Sequence, residues 1–223
     1  MVTFMRLLKY LNIPLFLVVS FVVGFVYSGF ARGTVGVTFS MLQHPFVTIF
    51  SYAGFLLLIL PFDFENPMLL IRFESVSRQR YYYADQLISL SFVYVVFLIV
   101  LFNVLGFVWE QPFVLSQQLI YAAYTIFSFA AMSALYVFLS IRFSKSFAAI
   151  FWMSLIAAGF GLNYFGGAVF VRFNFLFFNM YETVDGTAIL CSLLTYAVIA
   201  VICLLLTAKP KQEKNAEEKE TVW

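Results

Sequence analysis

Six apolar runs constrain this chain more than any other feature of its sequence. Each is long enough, or nearly long enough, to cross a membrane as a helix, which takes about 20 mostly apolar residues. The chain is also 63% hydrophobic and only 11% charged, well outside the usual balance of soluble domains. We therefore predict an all-α integral membrane protein with six transmembrane helices in one domain over residues 1–207, followed by a polar cytoplasmic tail at 208–223. The predicted spans cover residues 12–30, 45–62, 87–109, 118–140, 147–165 and 187–207.

Two of these runs are less regular than the others. The run at 45–62 is short. The run at 147–165 contains Gly159, Gly161 and Asn163 near its far end. Glycine weakens a helix interior, so the sequence predicts that this outer end is broken.

The distribution of Lys and Arg predicts the orientation. Eleven of the thirteen basic residues lie in the N-terminal segment, the second and fourth connections and the tail. The opposite connections contain only Arg32 and Arg172. Lys and Arg accumulate on the cytoplasmic side of membrane proteins. We therefore expect a multi-pass protein of the plasma membrane with both termini inside the cell.

The N-terminal segment superficially resembles a secretory signal, because Arg6 and Lys9 precede an apolar run. That run, 12–30, is longer than the usual cleaved core of about 7–15 residues, and no convincing cleavage site follows it. We interpret it as a retained first span. Residues 1–11 are then either an amphipathic helix on the inner surface or an unstructured start whose two charges set the topology.

A polar segment between the second and third spans predicts a short surface helix. Asn66 followed by Pro67 is typical of a helix start, because Asn can cap the first-turn amides and Pro gives up an N–H that would be unpaired. Glu74 and Arg78 then form a favourably oriented pair four residues apart. One face of this helix would be available to a partner. The alternative is a helix that only lies among the lipid headgroups.

The connection between the fifth and sixth spans contains an almost entirely apolar stretch at 168–178, which is too short to cross the membrane. We interpret it as a re-entrant or interfacial segment packed against the outer ends of the helices. The alternative is an aromatic belt at the outer leaflet.

Motifs for chemistry are not found. The sequence contains no phosphate-binding loop, no zinc-protease motif and no nucleophile elbow. Cys191 and Cys203 are 12 residues apart on one span, about 18 Å along a helix, so they cannot form a disulfide with each other. We therefore expect no enzyme activity, no metal site, no cofactor and no nucleic-acid partner for this chain.

The span interiors also lack Asp, Glu, Lys, Arg and His. Ionisable groups inside the membrane usually mark the path of a coupling ion, so their lack argues against a proton- or sodium-driven carrier. The interior polar groups, such as Asn103, Thr125, Ser128 and Ser133, are expected to hydrogen-bond between helices.

The layout as a whole resembles the transmembrane subunit of a type-2 ABC transporter, the drug, peptide and polysaccharide export class of bacteria. The string at 70–83, LIRFESVSRQRYYY, is similar to the R-x-x-S-R-like string of that family, with two extra residues, Val76 and Ser77, between Ser75 and the second Arg. The resemblance implies that the helix between spans two and three docks on a separate ATP-binding subunit. The residues it implies for this coupling helix are Met68, Arg72, Phe73, Glu74, Ser75 and Arg78.

The resemblance also implies partners and cargo. ATP would be bound by the partner subunit, and a second permease subunit, identical or homologous, would complete the translocation path within the lipid membrane. The cargo would be hydrophobic or amphipathic. Two other classes stay open: a stand-alone immunity or resistance protein, and an assembly subunit of a larger membrane complex. Neither of these would need an ATP-binding partner.

Overall fold

The computed structural model describes residues 12–31, 44–61, 76–108, 115–165 and 186–207, and its regular structure there is entirely helical. The predicted segments at 1–11, 166–185 and 208–223 lie outside the described residues, as does most of the polar segment before the third span. The described helices are α1 (Ile13–Ala31), α2 (Pro45–Ile59), α3 (Val76–Val108), α4 (Leu115–Arg142), α5 (Lys145–Phe165) and α6 (Gly186–Thr207).

Three helices are long and apolar enough to cross a membrane, with qualifying segments at Tyr81–Val108, Leu115–Arg142 and Leu190–Thr207. The other three helices contain shorter apolar segments, Ile13–Gly29, Phe46–Ile59 and Lys145–Gly161. Length and composition therefore indicate a membrane protein, as the sequence predicts.

Two helix starts are set by polar side chains. The Asn12 side-chain oxygen accepts from the Leu15 N–H at 3.1 Å and so caps α1. The Ser144 hydroxyl accepts from the Phe147 N–H at 3.1 Å and caps α5 in the same way. Capping side chains satisfy first-turn amides that have no partner within the helix. Ser144 thereby allows α5 to begin almost immediately after α4 ends.

Five of the helices lie within three residues of their predicted bounds, but α3 begins 11 residues earlier than its predicted span, at Val76. The preceding polar turns contain neither Gly nor Pro, so nothing in the chain stops the helix from extending beyond its apolar part. The predicted break in α5 is wrong, because α5 continues through Gly159 and Gly161 to Phe165. A helical Gly costs only about 1 kcal/mol relative to Ala, less than unpaired backbone groups cost in an apolar environment.

Ring contacts show that α3 and α4 are antiparallel. Tyr94 packs on Phe129 with ring centroids 5.6 Å apart, and Phe102 packs on Tyr121 at 6.5 Å. Residue numbers that rise along α3 are therefore matched by residue numbers that fall along α4. The helices α1 and α3 instead run parallel, since Phe16 contacts Phe97 at 4.8 Å and the later Tyr27 stacks on the later Phe102 at 4.4 Å.

The remaining directions follow in the same way. Phe46 and Phe55 of α2 contact Phe160 and Trp152 of α5 at 5.8 and 6.4 Å, so these two helices are antiparallel. The tight turn before Lys145 reverses the chain between α4 and α5. The helices α1 to α5 thus alternate in direction. The starts of α1, α3 and α5 and the ends of α2 and α4 meet at one end of the bundle, which we call the charged end.

The core is centred on Phe55. Its ring stacks on Phe129 at 4.5 Å with an interplanar angle of 12°, and it also contacts Tyr94 and Trp152 at 5.3 and 6.4 Å. Four helices meet at this one side chain. The most enclosed span is α4, of which 67% is buried, whereas only 11% of the α6 span is buried. Helix α4 is therefore the central helix, and α6 packs against its outside.

Glycine allows α1 to approach its neighbours closely. A Cβ added to Gly54 on α2 would collide with the Val19 side chain of α1. A Cβ added to Gly24 of α1 would lie 2.8 Å from the Leu101 side chain of α3. Small residues at such crossings are the usual means by which helices pack in a membrane, where no hydrophobic force draws them together.

Candidate functional site

The structure places one of the six predicted coupling residues. Arg78 lies in the first turn of α3 and is exposed. The other five, Met68, Arg72, Phe73, Glu74 and Ser75, lie outside the described residues. Arg78 belongs to the same uninterrupted helix that continues to Val108, about 45 Å further along the axis. A force applied at Arg78 would therefore act directly on the apolar part of α3.

Basic residues of the described helices gather at the charged end. They are Arg78, Arg80, Arg142 and Lys145, at the start of α3 and around the α4–α5 turn. Asp85 is the one acidic residue in the described part of the chain, and it is exposed two turns into α3. The described residues at this end of the bundle thus carry a net positive charge.

His44 lies at the opposite end, immediately before α2. Its ring stacks on Phe46 at 5.8 Å. Burial lowers the pKa of His44 below its ordinary value, because desolvation disfavours the charged imidazolium. The side chain is therefore neutral at pH 7 and adds no charge to this end.

Tyrosine hydroxyls are the main polar groups inside the bundle. The Tyr52 hydroxyl of α2 donates to the Ser128 hydroxyl of α4 at 2.6 Å. The Tyr124 and Tyr196 hydroxyls join α4 to α6 at 2.9 Å, and Tyr196 also interacts with Tyr52. We call the buried tyrosines at the centre the tyrosine cluster: Tyr52, Tyr94, Tyr121, Tyr124 and Tyr196, each at most 3% exposed.

Two further polar contacts cross between helices. The Tyr94 hydroxyl of α3 donates to the Ser51 carbonyl of α2 at 3.2 Å. The side-chain amides of Asn103 and Gln118 form a reciprocal pair between α3 and α4, with both hydrogen bonds at 2.8 Å. Together with the tyrosine cluster, these contacts connect α2, α3, α4 and α6 through neutral groups.

The prediction that small polar residues would bond between helices is only partly confirmed. Asn103 and Ser128 do make such bonds. Thr125, Ser133 and Thr195 instead donate to carbonyls four residues earlier in their own helices, at 2.7, 2.6 and 2.8 Å. The hydrogen-bonding capacity of these hydroxyls is thus met by carbonyls of their own helix, as is common for Ser and Thr within helices.

Sequence reasoning did not single out the tyrosines, although a signal was available. A buried Tyr usually needs a hydrogen-bond partner for its hydroxyl, and Tyr121 and Tyr124 stand near Thr125 and Ser128 on one helix. The sequence could not show that Tyr196 would complete the arrangement, because the two hydroxyls are 72 residues apart.

The described interior is lined by aromatic rings and neutral polar side chains. Its polar atoms are hydroxyls and amides, and the described part of the chain contains no cluster of residues that could hold a metal ion. Cys191 is exposed and Cys203 is buried, and both are free, as predicted from their spacing. The arrangement offers aromatic faces and neutral hydrogen-bonding groups.

The chain matches no family model, no curated protein and no solved structure.

Proposed function

We propose that this chain is the permease subunit of an ABC transporter of the export class, crossing the plasma membrane six times with both termini in the cytoplasm. A separate subunit would bind and hydrolyse ATP. The cargo would be a hydrophobic or amphipathic molecule, such as a peptide, a drug or a lipid-like compound.

The continuity of α3 is the observation that carries this proposal. Arg78, a predicted coupling residue, is exposed at one end of the helix, whereas Tyr94 on the same helix is fully buried against Phe55 and Phe129. A helix without a break transmits axial or tilting movements along its length. An ATP-binding subunit that moves the start of α3 would therefore displace the centre of the bundle.

Helix direction and charge support the orientation. Because α1 to α5 alternate, the starts of α1 and α3, the end of α2 and the α4–α5 turn all lie at the charged end, next in sequence to the N-terminal segment and the second connection. These are the same segments that the positive-inside rule assigns to the cytoplasm. The predicted docking surface and the predicted cytoplasmic side thus coincide.

The side chains inside the described bundle support ATP, rather than an ion gradient, as the energy source. They also support a translocation path that lies between two permease subunits. From Gln86 to Val108 of α3, and in the interiors of the other described helices, there is no Asp, Glu, Lys, Arg or His, so an ion gradient would have no evident binding site at these positions. Aromatic rings fill the centre around Phe55, which leaves little room for cargo to pass through one subunit. We infer an assembly of two permease chains and two ATP-binding chains, with the path between the permeases.

Site-specific photo-crosslinking tests the proposal. Tyr81 is 77% exposed one turn after Arg78, so a benzoylphenylalanine in its place reports on the charged end without removing a predicted coupling residue. Irradiation of native membranes should link this position to an ATP-binding subunit. The same probe at Phe107, 85% exposed at the other end of α3, should not form that product.

The outcome separates the remaining classes. A crosslink from position 81 to lipid alone, in cells that keep the chain functional, would contradict the permease assignment and favour a stand-alone immunity or resistance protein. A crosslink to other membrane proteins but to no ATP-binding subunit would favour an assembly subunit of a larger complex.

A further inference from the structure

Three exposed phenylalanines form a column that begins at the α4–α5 turn. The rings of Phe143 and Phe147 lie 4.8 Å apart, and those of Phe147 and Phe151 lie 6.3 Å apart and nearly parallel. The three side chains are 66%, 43% and 37% exposed, so the column faces outward from the bundle. We call these three residues the Phe column.

The Phe column has the dimensions of a lipid chain. Successive ring centroids are 4.8 and 6.3 Å apart, so the column is at most about 11 Å long, with Phe143 in the turn and Phe147 and Phe151 on α5. The hydrocarbon region of one leaflet is about 15 Å thick, half of the bilayer core. An acyl chain lying along Phe143, Phe147 and Phe151 would therefore be in contact with aromatic rings over most of its depth.

Positive charge is concentrated where the Phe column begins. Arg142 is exposed immediately before Phe143, and Lys145 is half-buried two residues after it. The dipoles of α4 and α5 oppose each other here, because α4 ends and α5 begins at this turn, so the two side chains supply the positive charge. The one acidic residue of the described part, Asp85, lies on a different helix.

We propose that the α4–α5 turn binds an anionic phospholipid. Its phosphate interacts with Arg142 and Lys145, and one acyl chain packs along the Phe column. None of its residues belongs to the tyrosine cluster or to the predicted coupling residues.

Charge and hydrophobicity together favour a lipid over a soluble protein at this turn. A phosphate attracts Lys and Arg near the membrane surface, where each contributes substantially to binding anionic lipid. The long side chains of both residues reach from the helix end to the headgroup level. The exposed rings below them continue into the depth that only acyl chains occupy, so the charged and apolar parts of the surface match the two parts of one phospholipid molecule.

Native mass spectrometry of the purified full chain tests this proposal. The chain is reconstituted in nanodiscs that contain phosphatidylcholine and phosphatidylglycerol, then released, and the lipids that remain bound are counted. We expect retention of phosphatidylglycerol over phosphatidylcholine. Replacing both Arg142→Gln and Lys145→Gln should lower that preference on the order of tenfold. The matched control, Lys209→Gln with Lys211→Gln, removes the same charge from the tail and should leave the preference unchanged.

The apolar half is tested separately. Phe147→Ala should reduce retention of both lipids while leaving their ratio unchanged. Phe107→Ala, which removes another exposed aromatic ring, should change neither the retention nor the ratio. In the unmodified chain the preference should fall when the ionic strength is raised from about 0.05 to about 0.5 M, because screening weakens charge interactions near a surface. This last measurement needs no variant and does not depend on how the variants fold.

Several outcomes would overturn the proposal. One is a preference that survives in the Arg142→Gln and Lys145→Gln variant, and another is an equal loss in the tail control, which would reflect net charge only. A variant that keeps its lipid preference but loses a soluble protein on purification would show that the turn contacts a protein instead.

Discussion

Removing single hydroxyls from the tyrosine cluster tests whether these groups hold α6 to the bundle. The Tyr196 hydroxyl of α6 is hydrogen-bonded to the Tyr124 hydroxyl of α4 at 2.9 Å. The edge-to-face contact of the two rings does not depend on either hydroxyl. A hydrogen bond between membrane helices contributes about 0.6 kcal/mol on average and at most about 1.7 kcal/mol. Tyr196→Phe and Tyr124→Phe each lose the one bond between these hydroxyls, so each should destabilise the fold by about 0.5–2 kcal/mol.

The assay is reversible unfolding of the purified chain in mixed micelles, followed through the accessibility of Cys203, which is buried in the folded chain. Phe retains the edge-to-face packing of the two rings at 5.5 Å, so the measurement isolates the hydroxyls. The control is Tyr81→Phe, which removes a hydroxyl from a ring that is 77% exposed. The reasoning would be refuted if Tyr196→Phe were no more destabilising than Tyr81→Phe.

Three further predictions concern packing, polar pairing and topology. Gly54→Ala should destabilise the fold by about 1–3 kcal/mol through its collision with α1, whereas Gly161→Ala, with no atom within 4 Å of the added Cβ, should be tolerated in the same unfolding assay. Asn103→Leu should cost about 1–3 kcal/mol because it leaves the buried amide of Gln118 without its partner, and the double replacement by Leu and Met should recover most of that stability; additive losses would contradict the pairing. A cysteine in place of Arg172 should react with an impermeant maleimide added outside the cell, and protection of that position together with labelling of the tail would reverse the orientation.

The approximate bounds of five of the six described helices could be predicted from the sequence, because each apolar run is interrupted by polar or charged residues. The start of α3 could not be predicted in that way. Hydrophobicity shows where a helix can be buried, but the polar turns around Arg78 extend α3 as far back as Val76. Backbone hydrogen bonding continues wherever no residue stops it, whether or not the side chains are apolar.

The candidate site was less predictable, for a different reason. Whether a hydroxyl bonds to its own helix or to another depends on which helices are neighbours. The sequence around the hydroxyl does not show which helices these are. Ser128 accepts from Tyr52, 76 residues away, while Ser133 on the same helix donates to its own backbone. Only the folded arrangement, with α4 at the centre and α6 against its outside, separates these two cases.

The proposed role as an ATP-coupled permease depends most on the docking of the segment around Arg78 onto an ATP-binding subunit. The direct test removes the predicted pair with Glu74→Ala and Arg78→Ala and measures how much ATP-binding subunit co-purifies and how fast ATP-driven transport proceeds. Charges buried on docking cost about 2–5 kcal/mol when truncated, which corresponds to more than a tenfold loss of complex or to ATP turnover without transport. The matched control, Lys219→Ala with Glu220→Ala in the tail, should have no such effect, since exposed pairs contribute about 0–1 kcal/mol. A complex and a transport rate that both survive the double change at positions 74 and 78 would contradict the proposed role of this chain as an ATP-coupled permease.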